Sequence, residues 1–114
     1  MPLQIEHRDV KPGVVVIALA GRVMLGVESA QIETLVQDLL KQGLRHFIFD
    51  LSGVTHIDST GIGRFISSLN ITMREGGSLR MAGASGQVRD SFRVTRLDTI
   101  FKFYSNVEEA LETL

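Results

Sequence analysis

A strand-like segment followed closely by a helical one, within residues 44–77, constrains the fold of this chain more than any other feature. The apolar run Phe47-Ile48-Phe49 is typical of a buried strand, which we predict to span residues 45–51. Apolar residues then recur with helical spacing at Ile62, Phe65, Ile66, Leu69 and Met73. Polar residues and glycines lie between the two patterns, so we expect a loop from the end of the strand to the start of the helix.

The residues before this segment predict a hairpin and a first helix. Residues 3–7 alternate apolar and polar, as in a half-buried strand, whereas residues 14–19 are almost wholly apolar, as in a strand covered on both faces. The turn signal Lys11-Pro12-Gly13 between them favours an antiparallel pair. Residues 21–26 are interpreted as a connection. A helical stripe follows, formed by Ile32, Leu35, Val36, Leu39 and Leu40, and Gly43 ends it.

The last third of the chain predicts two short strands and two helices. Residues 78–82 and 101–104 have strand character, and residues 87–96 form a helix with Val88, Ser91 and Phe92 inward. Asn106 with Glu109 three residues later is a capping box for a final helix. The element order indicates one α/β domain over residues 1–114, with a mixed sheet of four to five strands and about four flanking helices.

Composition argues against nucleic acid and membranes as binding partners. The formal net charge is -1, there is no Trp and only one Tyr, so a cationic or base-stacking surface is not expected. Arg89, Arg93 and Arg96 are interpreted as a solvated helix face. The longest apolar stretch, residues 14–20, is far shorter than the ~20 residues of a membrane span. Without a visible signal peptide, we expect a cytoplasmic protein.

The sequence predicts no metal site and no cofactor. Cysteine is absent, which excludes disulfides and Cys-ligated metals. His7, His46 and His56 are too scattered to indicate metal ligation, and each is interpreted as an ordinary strand-edge or loop histidine.

Ser59 has two plausible uses at the predicted start of the helix. Its hydroxyl can cap the helix, because the first N–H groups of a helix lack partners within it. It can also accept a phosphate, which would bring about -1.5 to -2 charges beside the positive end of the helix dipole. Gly61 and Gly63 favour the second use, since a cap does not need the open backbone that they are expected to leave. Asp58 places a carboxylate beside the hydroxyl.

Other readings of this glycine-containing segment are weaker. No Lys-Ser/Thr pair follows a phosphate-cradling loop, and a dinucleotide fingerprint would need glycine at Ile66. A hydrolase elbow would need glycine at Ile57, and His56 is expected on the loop rather than placed as a base. Direct nucleotide binding has only Arg64 as a nearby cation. Met24 and Leu25, in the predicted connection, belong either to the core or to an exposed docking patch.

Residues 49–54 (FDLSGV) and 57–63 (IDSTGIG) resemble the signature of STAS domains, most closely the bacterial anti-sigma factor antagonists. The resemblance covers most of the chain, from the first hairpin to the last helix. It implies a small domain with a core sheet and flanking helices. It also implies a non-enzymatic protein that switches partners and so regulates transcription.

By this resemblance Ser59 is the phosphoacceptor. An anti-sigma factor that is itself a serine kinase would phosphorylate it with ATP, and a metal-dependent, PP2C-type phosphatase would remove the phosphate. The unphosphorylated antagonist would bind the kinase as a monomer or weak dimer. The implied partner-binding residues are Asp58, Ser59, Thr60, Gly61, Ile62 and Gly63, together with Arg22 and Met24. Asp50 is expected to stabilise the segment before the helix by accepting backbone N–H bonds.

One departure from the family concerns the connection after the second strand. Many antagonists have a Gly-Glu-Leu/Ile-Asp-like element there, whereas this chain has Arg22 and Met24 at the two acidic positions. The departure leaves open a different partner. It also leaves open a second function, that of a STAS scaffold or accessory module of a signalling or transport complex without phosphorylation control.

Overall fold

The structure, a computed structural model that describes residues 2–114, contains one five-stranded mixed sheet. The strands are β1 (Gln4–Lys11), β2 (Val14–Val23), β3 (His46–Ile57), β4 (Ser78–Ala82) and β5 (Lys102–Tyr104), in spatial order β1-β2-β3-β4-β5. The β1–β2 pair is antiparallel, as the hairpin prediction required, and β2, β3, β4 and β5 are mutually parallel.

Four helices flank the sheet: α1 (Val27–Lys41), α2 (Ser59–Arg74), α3 (Gly86–Val94) and α4 (Val107–Leu111), with a 3-10 turn at Leu97–Thr99. The predicted fold class is therefore confirmed. The main core packs α1, α2 and α3 against one sheet face, and edge-to-face aromatic contacts link them, such as Phe49 to Phe65 at 5.1 Å between ring centroids. The short α4 packs on the opposite face, over Val16, Ile48 and Ala82.

The third strand is longer than predicted, and the expected loop at residues 52–57 does not exist. Buried residues in this part of β3 are Leu51, Val54 and Ile57, a spacing of three that matches neither strand alternation nor a helix. The cause lies in the pairing with β2, because β3 contains one extra residue between Asp50 and Gly53 and another between Val54 and His56. Such bulges shift the side-chain alternation. The prediction that His56 lies on a loop is consequently wrong.

The second strand also continues further than predicted, to Val23, so Arg22 is a strand residue. Only residues 24–26 remain as the connection to α1, which begins at Val27 as the helical pattern indicated.

The inner face of α2 differs from the predicted stripe at its C-terminal end. Phe65, Ile62 and Leu69 are buried as expected, but Met73 is 61% exposed, and Thr72 is buried in its place. The helix can bury this threonine and Ser68 because their hydroxyls donate to the backbone carbonyls four residues earlier. A pattern based on hydropathy cannot predict the burial of polar residues whose hydroxyls form hydrogen bonds within their own helix.

The remaining elements largely follow their sequence signals. Asn106 caps α4 through Glu109 N–H, and the Glu109 carboxylate accepts from Ser105 N–H, close to the expected capping box. In α3, Phe92 is buried, whereas Arg89 is not simply solvated as predicted, because its guanidinium packs 4.0 Å from the Phe103 ring centroid. No helix within residues 2–114 is long and apolar enough to cross a membrane.

Candidate functional site

The candidate site lies where β3 ends and α2 begins, at the edge of the sheet formed by the C-terminal ends of the parallel strands. Asp58 is the N-cap of α2: its Oδ1 accepts from Gly61 N–H at 2.8 Å. Its Oδ2 accepts from Leu25 N–H at 2.9 Å. One carboxylate therefore joins the start of α2 to the connection between β2 and α1.

These hydrogen bonds change the acidity of Asp58. Partial desolvation by itself would raise the pKa, but the N–H donors of Gly61, Leu25, Thr60 and Asp58 together outweigh it, and the pKa lies below the ordinary aspartate value. Asp58 is therefore a firmly ionised carboxylate at neutral pH, with both oxygens engaged by the backbone.

Ser59 is the first residue of α2, and its side chain is exposed. It is not the helix cap, since Asp58 has that role. Within residues 2–114 the Ser59 hydroxyl makes no hydrogen bond. The residue is held by the backbone of a well-packed helix while its hydroxyl stays free to meet another molecule.

The two glycines in the first turn of α2 have different surroundings, and only Gly63 leaves the open backbone that the sequence predicts. A Cβ at Gly63 would meet nothing within 4 Å. A Cβ at Gly61 would lie 2.0 Å from the carbonyl oxygen of Val23, so Gly61 is needed for close packing of α2 on β2. The prediction of an opening at Gly61 is wrong, because that space is filled by the backbone of the neighbouring strand.

Two grooves meet at Asp58. The first, which we call the α2–α3 groove, has a volume of about 550 Å³ and is lined by Ile57, Asp58, Ser59, Ile62, Gly86, Gln87, Asp90, Ser91, Val94 and Thr95. The second, the β2–α1 groove, has a volume of about 350 Å³, and its lining includes Arg22, Met24, Leu25 and Asp58. Of the predicted partner-binding residues, Asp58, Ser59, Ile62, Arg22 and Met24 thus line a groove. Thr60 and Gly63 are half-buried and line neither, and Gly61 is buried.

The connection between β2 and α1, together with the first residue of α1, is an exposed apolar surface rather than part of the core. Leu25 is 80% and Val27 82% exposed, and Met24 is 36% exposed. Of the two possibilities that the sequence left open for Met24 and Leu25, the exposed patch is the one that the structure contains. Because Leu25 N–H binds Asp58, this patch has a fixed place beside Ser59.

The wall contributed by α3 could not be predicted from the sequence. Its apolar residue Val94 is 81% exposed, and Asp90 adds a carboxylate that pairs with Arg93 at 3.2 Å. Gln87 exchanges two hydrogen bonds with the backbone of Ile57. Gln87 and Ile57 are 30 positions apart, so no local sequence pattern indicates their contact. A glutamine on the exposed side of a predicted helix is also common and does not by itself indicate a functional role.

The other candidate groups have structural partners. His56 Nδ1 lies 3.0 Å from the hydroxyl oxygen of its neighbour Thr55. Asp50 accepts from Ser52 N–H at 3.1 Å and from the Ser52 hydroxyl at 2.8 Å, within β3 rather than in a loop. In the described part of the chain, residues 2–114, no group of three or more His, Cys, Asp or Glu side chains could hold a metal ion.

Two of the proteins that this chain is similar to have the same provisional name. A Thermotoga neapolitana protein provisionally named an anti-sigma factor antagonist is 29% identical over 90 residues, which cover 77% of this chain and 80% of the relative. The crystal structure of a Thermotoga maritima protein with the same provisional name has a TM-score of 0.87 and 24% identity, and the match covers 96% of this chain and 92% of that one.

Two further structures share the fold at lower identity. One is SpoIIAA of Bacillus in its phosphorylated form, with a TM-score of 0.77 and 21% identity over 96% of this chain and 98% of that one. The other is a sulfate transporter family protein from Wolinella succinogenes, with a TM-score of 0.80 and 18% identity over 93% of this chain and 88% of that one. A family model for the STAS domain matches residues 7–110 of this chain, so the protein belongs to the STAS domain family.

Proposed function

We propose that this protein is an anti-sigma factor antagonist controlled by phosphorylation of Ser59. In the unphosphorylated state it binds an anti-sigma factor that is also a serine kinase, and phosphorylation at Ser59 releases it. A metal-dependent phosphatase returns it to the binding state. The protein itself catalyses no reaction, and its effect on transcription follows from which partner it occupies.

The observation that carries the proposal is the free, exposed hydroxyl of Ser59 in the α2–α3 groove, next to the residue at which the two grooves meet. Asp58 supplies the helix cap, so Ser59 is not needed for that structural role. Ser59 lines the α2–α3 groove, and Asp58 beside it lines both grooves. A partner that covers these grooves would bring its own surface against the hydroxyl.

The electrostatics of a phosphate at Ser59 favour control of an interface over a change of fold. The added charge of about -1.5 to -2 is favoured by the N-terminus of α2 and opposed by the Asp58 carboxylate. Because these effects oppose one another within the domain, the fold is expected to remain. A partner docked over Ser59 would meet the whole new charge in a contact from which water is excluded.

The exposed connection between β2 and α1 determines which partner fits. Met24, Leu25 and Val27 present an apolar patch, and Arg22 in the adjoining groove is a cation. We therefore expect the partner to present apolar side chains and a carboxylate opposite this surface. This expectation differs from that for an antagonist with acidic residues at both positions.

The first experiment is peptide mass spectrometry after incubation of the protein with ATP and extract from its source cells. One phosphate on Ser59, absent in Ser59→Ala and retained in Thr60→Ala, is the expected result. Ser105→Ala, which alters another exposed serine, is the matched control. Absence of phosphate on Ser59, while a working control substrate is phosphorylated, would contradict the proposal.

The second experiment measures partner binding by the variants. Ser59→Ala should retain binding to the kinase and no longer be released by ATP, whereas Ser59→Asp should bind at least about tenfold more weakly, a loss of roughly 1.4 kcal/mol. Equal pull-down of the partner by wild type and Ser59→Asp would contradict control by charge at this position.

The alternative function is that of a STAS scaffold or accessory module without phosphorylation control. The specific observation in its favour is the apolar patch at Met24, Leu25 and Val27, which suits a permanent subunit contact. Gel filtration with light scattering distinguishes the two. A stable large assembly with its native partners favours the scaffold, and a monomer or weak dimer favours the regulated antagonist.

A further inference from the structure

The second half of β3 has a free edge where the sheet is incomplete. β4 pairs with β3 only from His46 to Asp50, so the later residues of β3 are paired with β2 alone. Helix α3 runs beside this open edge, and Ile57 is the last strand residue on it before Asp58 and Ser59. An exposed strand edge has backbone donors and acceptors that need partners.

Gln87 supplies those partners at Ile57. Ile57 N–H donates to Gln87 Oε1 at 3.0 Å, and Gln87 Nε2 donates to the Ile57 carbonyl at 3.0 Å. A side-chain amide has one acceptor and one donor group, so it can pair with the backbone as a residue of a neighbouring strand would. The second Nε2 proton is directed at Ser91 Oγ, 2.9 Å away, and the Ser91 hydroxyl in turn donates to the main-chain carbonyl of Gln87. The three hydrogen bonds of the side-chain amide determine its orientation.

The contact holds the backbone two residues before the proposed phosphoacceptor. From the β2 side, Asp58 N–H donates to the Val23 carbonyl at 3.4 Å. From the α3 side, Gln87 holds Ile57. The start of α2 is thus fixed from both directions, and Gln87 is the attachment on the side of the α2–α3 groove, in whose lining it lies together with Ile57 and Ser59.

We propose that Gln87 is a positioning residue for Ser59: its amide sets the distance and orientation of the phosphoacceptor relative to α3. The meaning of this role rests on the proposed function of Ser59, but the contact itself is testable in the protein alone. This role also couples the α2–α3 groove to Ser59, because a partner bound in the groove would contact the Gln87 amide that holds Ile57.

The test uses three variants of the full chain. Gln87→Met keeps the length of the side chain and loses both hydrogen bonds to Ile57. Gln87→Ala also loses both hydrogen bonds to Ile57 and favours the helix, so it serves as a second variant if Gln87→Met does not fold. Ser91→Ala is the matched control, since it removes one partner of the amide and leaves the two bonds to Ile57.

Two NMR measurements report on position rather than on overall stability. In Gln87→Met the amide of Ile57 should exchange about tenfold faster or more, in excess of any change explained by the global unfolding free energy. The pKa of Asp58 should rise towards the ordinary aspartate value, because a looser end of β3 weakens the hydrogen bonds to its carboxylate. Ser91→Ala should leave both quantities near those of wild type. Wild-type values of both quantities in a folded Gln87→Met would overturn the inference.

A kinetic measurement distinguishes this inference from the proposed function. Where source-cell extract phosphorylates wild type, Gln87→Met should lower the maximal rate at saturating concentration of the substrate protein, and Ser91→Ala should leave that rate near wild type. Because Gln87 lines the groove, KM is not used as the readout. An unchanged maximal rate in Gln87→Met would overturn the positioning role. If wild-type protein is not phosphorylated at all, the proposed function fails, and the role of Gln87 is still decided by the exchange rate of Ile57 and the pKa of Asp58.

Discussion

The two halves of the continuous strand β3 differ in their pairing with neighbouring strands and in their exposure to solvent. The first half, from His46 to Asp50, is paired on both sides, and Phe47, Ile48 and Phe49 are completely buried. The second half is paired only with β2, and it exposes Ser52, Thr55 and His56 to solvent. The first half is therefore the fully paired part of the core, whereas the second half buries only one face and carries the chain from the core to the candidate site.

This difference shows how a rigid position can be presented at a surface. The second half buries Leu51, Val54 and Ile57 but lacks a neighbouring strand on one side. Its placement therefore also depends on three contacts that involve backbone atoms: the bulged pairing with β2, the close approach of Gly61 to Val23 and the side-chain amide of Gln87. Loss of a core residue should therefore affect stability, whereas loss of these contacts should affect the geometry around Ser59 as well.

The largest expected effect is in the first half of the strand. Phe49→Ala removes a fully buried ring that packs edge-to-face on Phe65 and should cost about 3 to 5 kcal/mol of unfolding free energy. His56→Ala, on the exposed side of the second half, should change it by less than about 0.5 kcal/mol. Urea unfolding of both variants measures the contrast. Similar losses for the two would show that the exposed face of the second half is needed for stability as much as the core is.

A smaller but more specific effect concerns the contact between α2 and β2. Gly61→Ala would place a methyl group 2.0 Å from the Val23 carbonyl oxygen and should cost about 3 kcal/mol, since backbone must move. The control, Gly63→Ala, enters open space and should be neutral or stabilising by up to about 1 kcal/mol, because alanine favours the helix. Chemical denaturation of the pair gives the answer, and equal stability of the two variants would show that close packing does not require Gly61.

The smallest effect concerns the cap that joins the end of β3 to α2. Asp58→Ala should lower the unfolding free energy by about 1 to 2 kcal/mol at neutral pH. The folded-state pKa of Asp58 is lowered, so its charge-dependent contribution is fully present above about pH 3.9 and is lost as the pH falls through the lowered value. Unfolding measured from pH 7 to pH 2 should therefore bring wild type and Asp58→Ala closer together at acid pH. A constant difference over that range would contradict the cap as a source of pH dependence.

Most of the fold could be predicted from the sequence, because its main elements have strong local patterns. The apolar run at residues 47–49 and the helical stripes depend on burial by large side chains, which hydropathy records directly. Turn and cap residues such as Gly43 and Asn106 also act locally, and the structure has them where the sequence indicated.

The errors fall where backbone geometry or distant residues decide the outcome. The bulges in β3 disturb the alternation from Leu51 to Ile57, so the pattern predicts a loop where the structure has a strand. The sequence predicts an opening at Gly61 because it cannot show which backbone approaches a missing Cβ. Hydropathy predicts that Met73 is in the core, since it does not recognise that the Thr72 hydroxyl can be buried by donating to the Ser68 carbonyl. The position of Ser59 followed from local signals, but the α3 wall of its groove did not.

The hydrogen bonds of Asp58 also limit the chemistry that this domain can perform on its own serine. Both carboxylate oxygens already accept N–H groups, and the lowered pKa makes the group a poor proton acceptor. If a phosphoryl group is transferred to Ser59, the base that removes the hydroxyl proton must then come from the kinase. Under the proposed function, this domain would supply only a nucleophile in a fixed place, and the kinase would have to supply the group that activates it.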